Sequence, residues 1–491
     1  MRRFAIVCGG LLVLVAVAVA ALPVWLPPVL ATRGVTVGAA RWCGAALCFD
    51  AVQFGSAQAA SVRLGTDRVA MVEAPVVPLT SGASAAANGE AGLLSLLRRV
   101  DVHGLTVPGT PLPPLDGQAW PERHLTGDGV TIDGDVARAS LPTPFGTAAV
   151  EVTPKDGGAD IVARCEHCTL PAPSDADRAL PLPPVVARGR WDDGAFDGTV
   201  RIEAVNAKVH AVREGEGVHA TVTLADTPVA DLYAVVGAWV PELSRARIGG
   251  TASGTLEVAW PGGVVAFSPS IQGLTVEGLV SEGLAAGGFT FRGRGAGDDE
   301  QVFHSGEGTP GWVPLSRMGV WLPAAVIAAE DAGFRAHPGY DLEGIRAAFA
   351  ANSAEGDVVR GGSTLTQQLA KNLFLDGTRS YARKLRELLY AVDLDRTLGK
   401  PRVLELYLNV VEFGPGMRGA RAAAQTYFLK EPEGLLPEEA AWLASILRYP
   451  RTAWNRQYQT DHVDQARVRW ILENLRDVPE EPRREIGRAH V

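Results

Sequence analysis

The hydrophobic period changes once along this chain, near residue 310, and that change limits what each part can fold into. Before it, apolar and polar residues alternate in short runs such as "GTVRIEAVNAKVHAV" (198–212) and "GVHATVTLA" (217–225), broken by Gly, Pro and Asp. Alternation at period two marks half-buried strands, and the breakers supply the turns between them. After it, Leu385, Leu388, Leu389 and Val392 recur on one helical face, as do Val403, Leu404 and Tyr407. Pro323, Pro401 and Pro437 each open such a segment, where the missing proline N–H has no intrahelical partner to lose. At 491 residues the length fits roughly three units. The expected fold class is multidomain: a transmembrane helix over 1–32, a β-rich region over 33–308 and an α-helical domain over 309–491.

The first segment rests on charge. Arg2 and Arg3 are followed by no charge until Arg33, and Phe4 to Leu22 is an apolar run of 19 residues, enough to span a hydrocarbon core as a helix. The positive-inside rule puts the short N-terminus in the cytoplasm and the rest outside. An uncleaved anchor is the expectation; cleavage near Ala16-Val17-Ala18, as in a signal peptide, is the alternative. Four cysteines suit an oxidising compartment: Cys43 with Cys48, and Cys165 with Cys168, form close pairs that read as short-loop disulfides. Cys8 lies in the apolar run. A net charge of −9 argues against nucleic-acid binding, which needs a broad basic field.

Within 33–308 the pattern G-[VL]-T-[VI] begins at Gly34, Gly104, Gly129 and Gly273. Strand–turn units at irregular spacing suit an elongated or sandwich-like β region, a spacer or interaction module. Its texture is faintly similar to the β-rich periplasmic region of AsmA-like envelope proteins.

The helical part carries the chemistry. "AVIAAEDAGFRAHPG" (325–339) ends an apolar helix face in Glu330 and Asp331, with Phe334 four residues after Glu330. A carboxylate beside an aromatic in a partly apolar cleft has the raised pKa of a general base. In "GGSTLTQQLAKNLFL" (361–375), Thr364 and Gln367 have capping-box spacing, and a helix N-terminus offers N–H groups to an anion. Residues 371–402 hold eight Lys or Arg against four Asp or Glu, a basic cluster suited to a phosphate-bearing ligand.

Residues 310–450 resemble the peptidoglycan glycosyltransferases of family 51. "EDAGFRAHPG", "GGSTLTQQ", "RKLRE", "KPRVLELYLN" and "EFGPGMRGARAAAQTYFLK" follow the five family motifs in order. The flanks "GWVPLSRM" and "QARVRWILENL" are most similar to the monofunctional biosynthetic branch, and the chain contains neither S-x-x-K nor K-T-G of the bifunctional relatives.

The resemblance implies a lysozyme-like all-α fold and a hexosyltransferase that polymerises glycan strands from lipid II and a lipid-linked glycan, with inversion and release of undecaprenyl pyrophosphate. It implies Glu330 and Glu387 as catalytic carboxylates. Ser363, Thr364, Gln367, Gln368, Lys371, Arg379, Arg383 and Lys384 are implied as substrate-binding. A divalent cation, Mg or Mn, is expected with the substrate pyrophosphate, Glu387 either helping to hold it or orienting the basic cluster. His337 is read as fixing the loop after the helix, Phe334 as packing and Asn409 as a structural hydrogen-bonder. Trp312 and Trp321 suit either a lipid interface or the core. The expected location is the plasma (inner) membrane, single-pass, with the catalytic domain on the periplasmic face; cell-wall synthesis or division proteins are candidate partners of the β-rich region. Arg418, Leu429 and Tyr449 depart from the family pattern. Two rival readings stay open: a lytic glycan cleaver, and an inactive envelope scaffold that binds through the β-rich region.

Overall fold

A computed structural model describes residues 35–43, 46–54, 57–64, 69–73, 99–103, 105–107, 125–127, 130–133, 136–143, 145–156, 158–170, 178–214, 217–260, 263–280, 282–297, 299–347, 362–375, 380–460, 464–476 and 478. The expected membrane anchor over 1–32 and Arg379 lie outside the described residues. Among the described residues no helix is long and apolar enough to cross a membrane.

The chain forms two compact units. The first comprises residues 1–171, 179–225 and 255–267; the second comprises 172–178, 226–254 and 268–491. In the first, antiparallel strands follow one another in sequence: Val136–Thr143, Gly146–Lys155, Gly158–Cys165, Val185–Asp192, Ala195–Ile202, Val205–Glu214 and Gly217–Pro228. A two-residue turn, Asp193-Gly194, closes one of these hairpins, with Asp192 opposite Ala195. Strands Val35–Thr36, Leu105–Val107 and Val130–Asp133 begin directly after three of the four repeat glycines. Disulfides join Cys43 to Cys48 and Cys165 to Cys168. The second of these bridges packs with Ala148 in a small buried cluster, flanked by Phe145, Val150, Leu182 and Val185.

The second unit carries the helices: α1 (Val229–Val235), α2 (Trp321–Glu330), α3 (Leu365–Phe374), α4 (Tyr381–Val410), α5 (Ala420–Phe428), α6 (Pro437–Ile446), α7 (Pro450–Thr460) and α8 (Gln465–Glu473). Helix α2 starts at Trp321, two residues before Pro323; proline is tolerated there because first-turn N–H groups make no intrahelical bond. Leu322 and Ala324 to Ala328 are buried, so the apolar stretch is core up to the glutamate. Helix α4 breaks at Gly399, whose φ of 71° and ψ of 162° are inaccessible to most side chains, and Pro401 restarts it. The region is not wholly helical: Glu412–Gly414 pairs with Met417–Arg418.

Residues from before position 309 share this unit's core. Val229, Tyr233, Leu274, Val276, Leu279, Leu284 and Phe291 are buried in one cluster with the residues of α2, α3 and α4. The hairpin Gly288–Arg294/Glu300–Gly306 also accounts for one departure from the family pattern. Arg418 lies over the stacked Phe303 and Phe291 rings, 4.7 and 5.6 Å from their centroids, and donates to the Val410 carbonyl at 3.1 Å. Gly293 permits this approach, since a Cβ there would lie 2.4 Å from the guanidinium.

Trp312 is a core aromatic, 8% exposed, with the Arg402 guanidinium 5.0 Å from its ring and Phe289 edge-on at 6.3 Å. Trp321 is partly buried against the same core.

Leu429 ends α5 in the left-handed conformation, φ 57° and ψ 34°, with 91% of its surface exposed. An L side chain costs about 1 kcal/mol there, which is why glycine suits a helix C-terminus. Leu429→Gly gives up no packing and is expected to stabilise this unit by about 1 kcal/mol. A denaturation midpoint equal to or below that of the parent would refute this.

Candidate active site

Helix α2 delivers Glu330 as its last residue, and the backbone turns sharply at Asp331 (φ −161°, ψ 74°). The two adjacent carboxylates therefore diverge. Asp331 turns into the structure: it accepts from His337 Nε2 at 2.9 and 3.0 Å and from the backbone N–H of Leu365, the first residue of α3, at 2.9 Å. His337 thus closes the loop after α2 onto Asp331. Gly339, with φ 89°, turns the chain where a Cβ would come within 2.5 Å of the Ala391 carbonyl, and its own carbonyl accepts from Thr364 Oγ1 at 2.7 Å.

Thr364 and Gln367 form the capping box read from their spacing. Both are buried, with Thr364 Oγ1 and Gln367 Oε1 accepting the two cap bonds. The Leu365 and Gln367 N–H groups go to Asp331 and Thr364, so these two donors are not offered to an external anion. Capping sets the direction of α3 and places Gln368 and Lys371 beside Glu330.

The Glu330 side chain is 11% exposed. Gln368 Nε2 donates to its Oε2 at 3.1 Å, and Arg467 Nη2 on α8 donates to its Oε1 at 3.3 Å. A carboxylate only accepts, so the Gln368 amide must present nitrogen to it. Its oxygen then faces Tyr407, whose hydroxyl donates to it at 2.9 Å. Tyr407 is fully buried, and burial, followed by the Glu330 and Asp331 charges, raises its pKa well above normal, so it remains a proton donor. Burial likewise pushes the Glu330 carboxyl above the usual range, overcoming the lowering effects of the Gln368 hydrogen bond and of Arg467, Arg448 and Lys371.

A second cluster grows from the first turns of α4, which Ser380 caps by accepting from the Arg383 N–H at 3.0 Å. Glu387, 2% exposed, is bound by Arg383 Nη1 through Oε1 and by Lys384 Nζ at 2.8 Å through Oε2. Lys384 also donates to Ser363 Oγ at 2.5 Å, tying the glycine-rich approach to α4. Lys371 connects the two clusters electrostatically. Burial lowers its pKa, the Arg383 and Lys384 charges lower it further, and Glu387 and Glu330 oppose them. The arrangement is a base-like carboxylate, a cation responsive to both glutamates, and a basic pair neutralised by the second glutamate.

Phe334 is buried, with Lys400 Nζ 4.6 Å from its ring centroid, joining the first motif to the fourth. Asn409 pairs with both backbone groups of Val313 at 2.9 Å. Arg467, Arg448 and Tyr407 belong to the Glu330 surroundings without having been singled out from the sequence; Tyr407 was legible only as a helix-face residue.

The described residues do not by themselves enclose a divalent ion. Among the described residues no three His, Cys, Asp or Glu side chains converge, and each oxygen of Glu387 already meets a cation.

The transglycosylase family profile matches residues 299–476. A biosynthetic peptidoglycan transglycosylase of Thiobacillus denitrificans is 45% identical over 157 residues, 32% of this chain and 67% of that protein. Its counterpart in Bordetella avium is 44% identical over 174 residues, 34% of this chain and 72% of that protein. The one from Dechloromonas aromatica is 49% identical over 140 residues, 28% and 61% respectively. The chain thus spans 61–72% of these relatives' own length.

Proposed function

The chain belongs to the transglycosylase family, and from that premise we propose that it is a peptidoglycan glycosyltransferase that polymerises glycan strands from lipid II. The observation that carries the reading is Glu330: a buried carboxylate at a helix end, its pKa raised, oriented by Gln368 and Arg467 and neighboured by Lys371. Glu330 takes the proton from the GlcNAc 4-hydroxyl of lipid II. That oxygen attacks the anomeric carbon of the lipid-linked glycan, forming a β-1,4 bond with inversion. Undecaprenyl pyrophosphate departs.

A pyrophosphate leaving group needs charge stabilisation more than protonation, in contrast to the sugar oxygen released in glycan hydrolysis. Lys371, Arg383 and Lys384 are proposed to supply it together with Arg379, while Ser363 and Gln368 shape the binding surface and Thr364 and Gln367, buried in the cap, support it by fixing the start of α3. Glu387 orients the basic pair. A Mg or Mn ion is proposed to enter with the substrate's pyrophosphate, where it would add to the charge stabilisation. This basic cluster favours synthesis over lysis. Residues 1–32 are proposed as the anchor that keeps the site at the outer face of the inner membrane, where both polyprenyl substrates reside. Residues 33–308 and 309–491 are proposed as the sequence modules, with 226–254 and 268–308 packed in the same unit as the helices.

Polymerisation of lipid II by the full chain, followed against pH, tests this. The base must be ionised, so activity rises through the Glu330 pKa, and burial moves that acid limb above the ordinary glutamate range. Lys371 must be protonated, so the alkaline limb falls below that of an ordinary lysine. A bell narrowed from both sides is expected; absence of polymer at every pH would sink the reading in favour of the scaffold.

A further inference from the structure

Helix α4 bears Arg383, Lys384 and Glu387 on one face of its first turns. A neighbouring face is held by residues from before position 309. Glu242, 4% exposed, receives Arg386 Nε at 2.8 and 3.0 Å on its two oxygens, and Arg386 Nη2 approaches Oε1 at 2.7 Å. The Tyr233 hydroxyl donates to the Leu385 carbonyl at 3.0 Å, and Arg245 Nη2 donates to the Tyr390 hydroxyl at 2.8 Å. Tyr390 in turn stacks on Phe374 at 4.4 Å, at the end of the helix carrying Lys371.

Three polar contacts from one short segment therefore land on residues 385, 386 and 390, adjacent to or within one turn of Glu387. A buried carboxylate is tolerated only when paired, and an arginine fork on both its oxygens fixes angle as well as distance. Solvent exposure alone gives no reason to place such a pair here, whereas rotation of α4 about its axis would swing Arg383 and Lys384 away from Ser363 and Lys371.

We infer that Glu242 is a positioning residue for the glycosyl transfer: with Tyr233 and Arg245 it forms a brace, supplied by the segment between the strands, that sets the rotation of α4 and hence the placing of Arg383, Lys384 and Glu387. The inference rests on the transferase reading of the site. It assigns to residues 229–245 a part in the reaction although none of them touches substrate.

The test uses the full chain with Glu242→Gln and, separately, Tyr233→Phe, which removes one hydroxyl and leaves the ion pair. Two readouts are taken: lipid II polymerisation resolved into kcat and KM, and hydrogen exchange of backbone amides by mass spectrometry. Glu242→Gln is expected to lower kcat at least tenfold, as misplacement of about 1 Å can do, with KM for lipid II within about twofold. Amides of residues 381–390 should exchange about tenfold faster, while those of α6 keep the parent rate. Tyr233→Phe should show the same pattern at smaller amplitude, and it decides the matter if Glu242→Gln does not fold. Unchanged exchange over 381–390, or equal acceleration in α6, would overturn the brace. A parent chain that makes no polymer would instead refute the transferase reading, and the exchange comparison would still decide the brace.

Discussion

Glu330→Gln should lower the rate of lipid II polymerisation by about 10²–10⁴-fold, the usual contribution of a positioned general base. The replacement is isosteric, and its amide oxygen still receives one donor where the carboxylate receives two, from Gln368 and Arg467. Burial disfavours the charged form of Glu330, so a neutral side chain relieves desolvation and folding should not suffer. Single-turnover polymerisation alongside a thermal unfolding scan separates the two effects. A folded variant retaining a tenth or more of parental activity would remove Glu330 from the role of base.

Loss of Glu387 should act on both folding and chemistry. Its carboxylate is buried and meets Arg383, itself 12% exposed, and the half-exposed Lys384. Truncation to Ala takes away the counter-charge from a largely buried guanidinium, and breaking such a pair costs about 3–5 kcal/mol; the exposed lysine adds little. Glu387→Gln keeps the shape and isolates the electrostatic effect. With the negative charge gone, Arg383 and Lys384 press on Lys371 without their main opponent, so the Lys371 pKa falls further. The alkaline limb of the pH–rate profile should then move to lower pH, and activity at neutral pH should fall at least tenfold. An unmoved limb with parental activity would show that Glu387 matters only to folding.

The parts of the site legible in the sequence are those whose partners lie nearby along the chain. The capping box of Thr364 and Gln367 needs three residues, and the Arg383–Glu387 pair needs four. Arg467, in contrast, reaches Glu330 across 137 positions, Tyr407 reaches Gln368 across 39, and Glu242 reaches Arg386 across 144. No periodicity encodes such meetings; they follow from how helices cross. The change of hydrophobic period located the helices well, yet it could not reveal that strands and turns on its near side enter the same buried cluster. Local pattern reports which face is apolar, and it is silent about which distant face covers it. The same holds for Asp331: beside Glu330 in sequence, it appeared as half of a pair, whereas the backbone turn after α2 sends it to cap α3.

Asp393 has a consequence for how the molecule is made. Its buried carboxylate accepts from the backbone N–H groups of Leu279 and Val280, both at 2.8 Å, and Arg402 donates to the Leu284 carbonyl at 2.9 Å. During synthesis the segment around residue 280 emerges more than a hundred residues before the helix that satisfies it. Until then the two amide groups lack the Asp393 acceptor, and Val276, Leu279 and Leu284 lack those members of their buried cluster that follow in sequence. Closure over so long an interval is slow, because the entropy of the intervening chain must be overcome before any contact forms. The residues around 280 are therefore made well before α4, which completes their bonding, and that interval is the one in which a chaperone that shields apolar surface would have most effect.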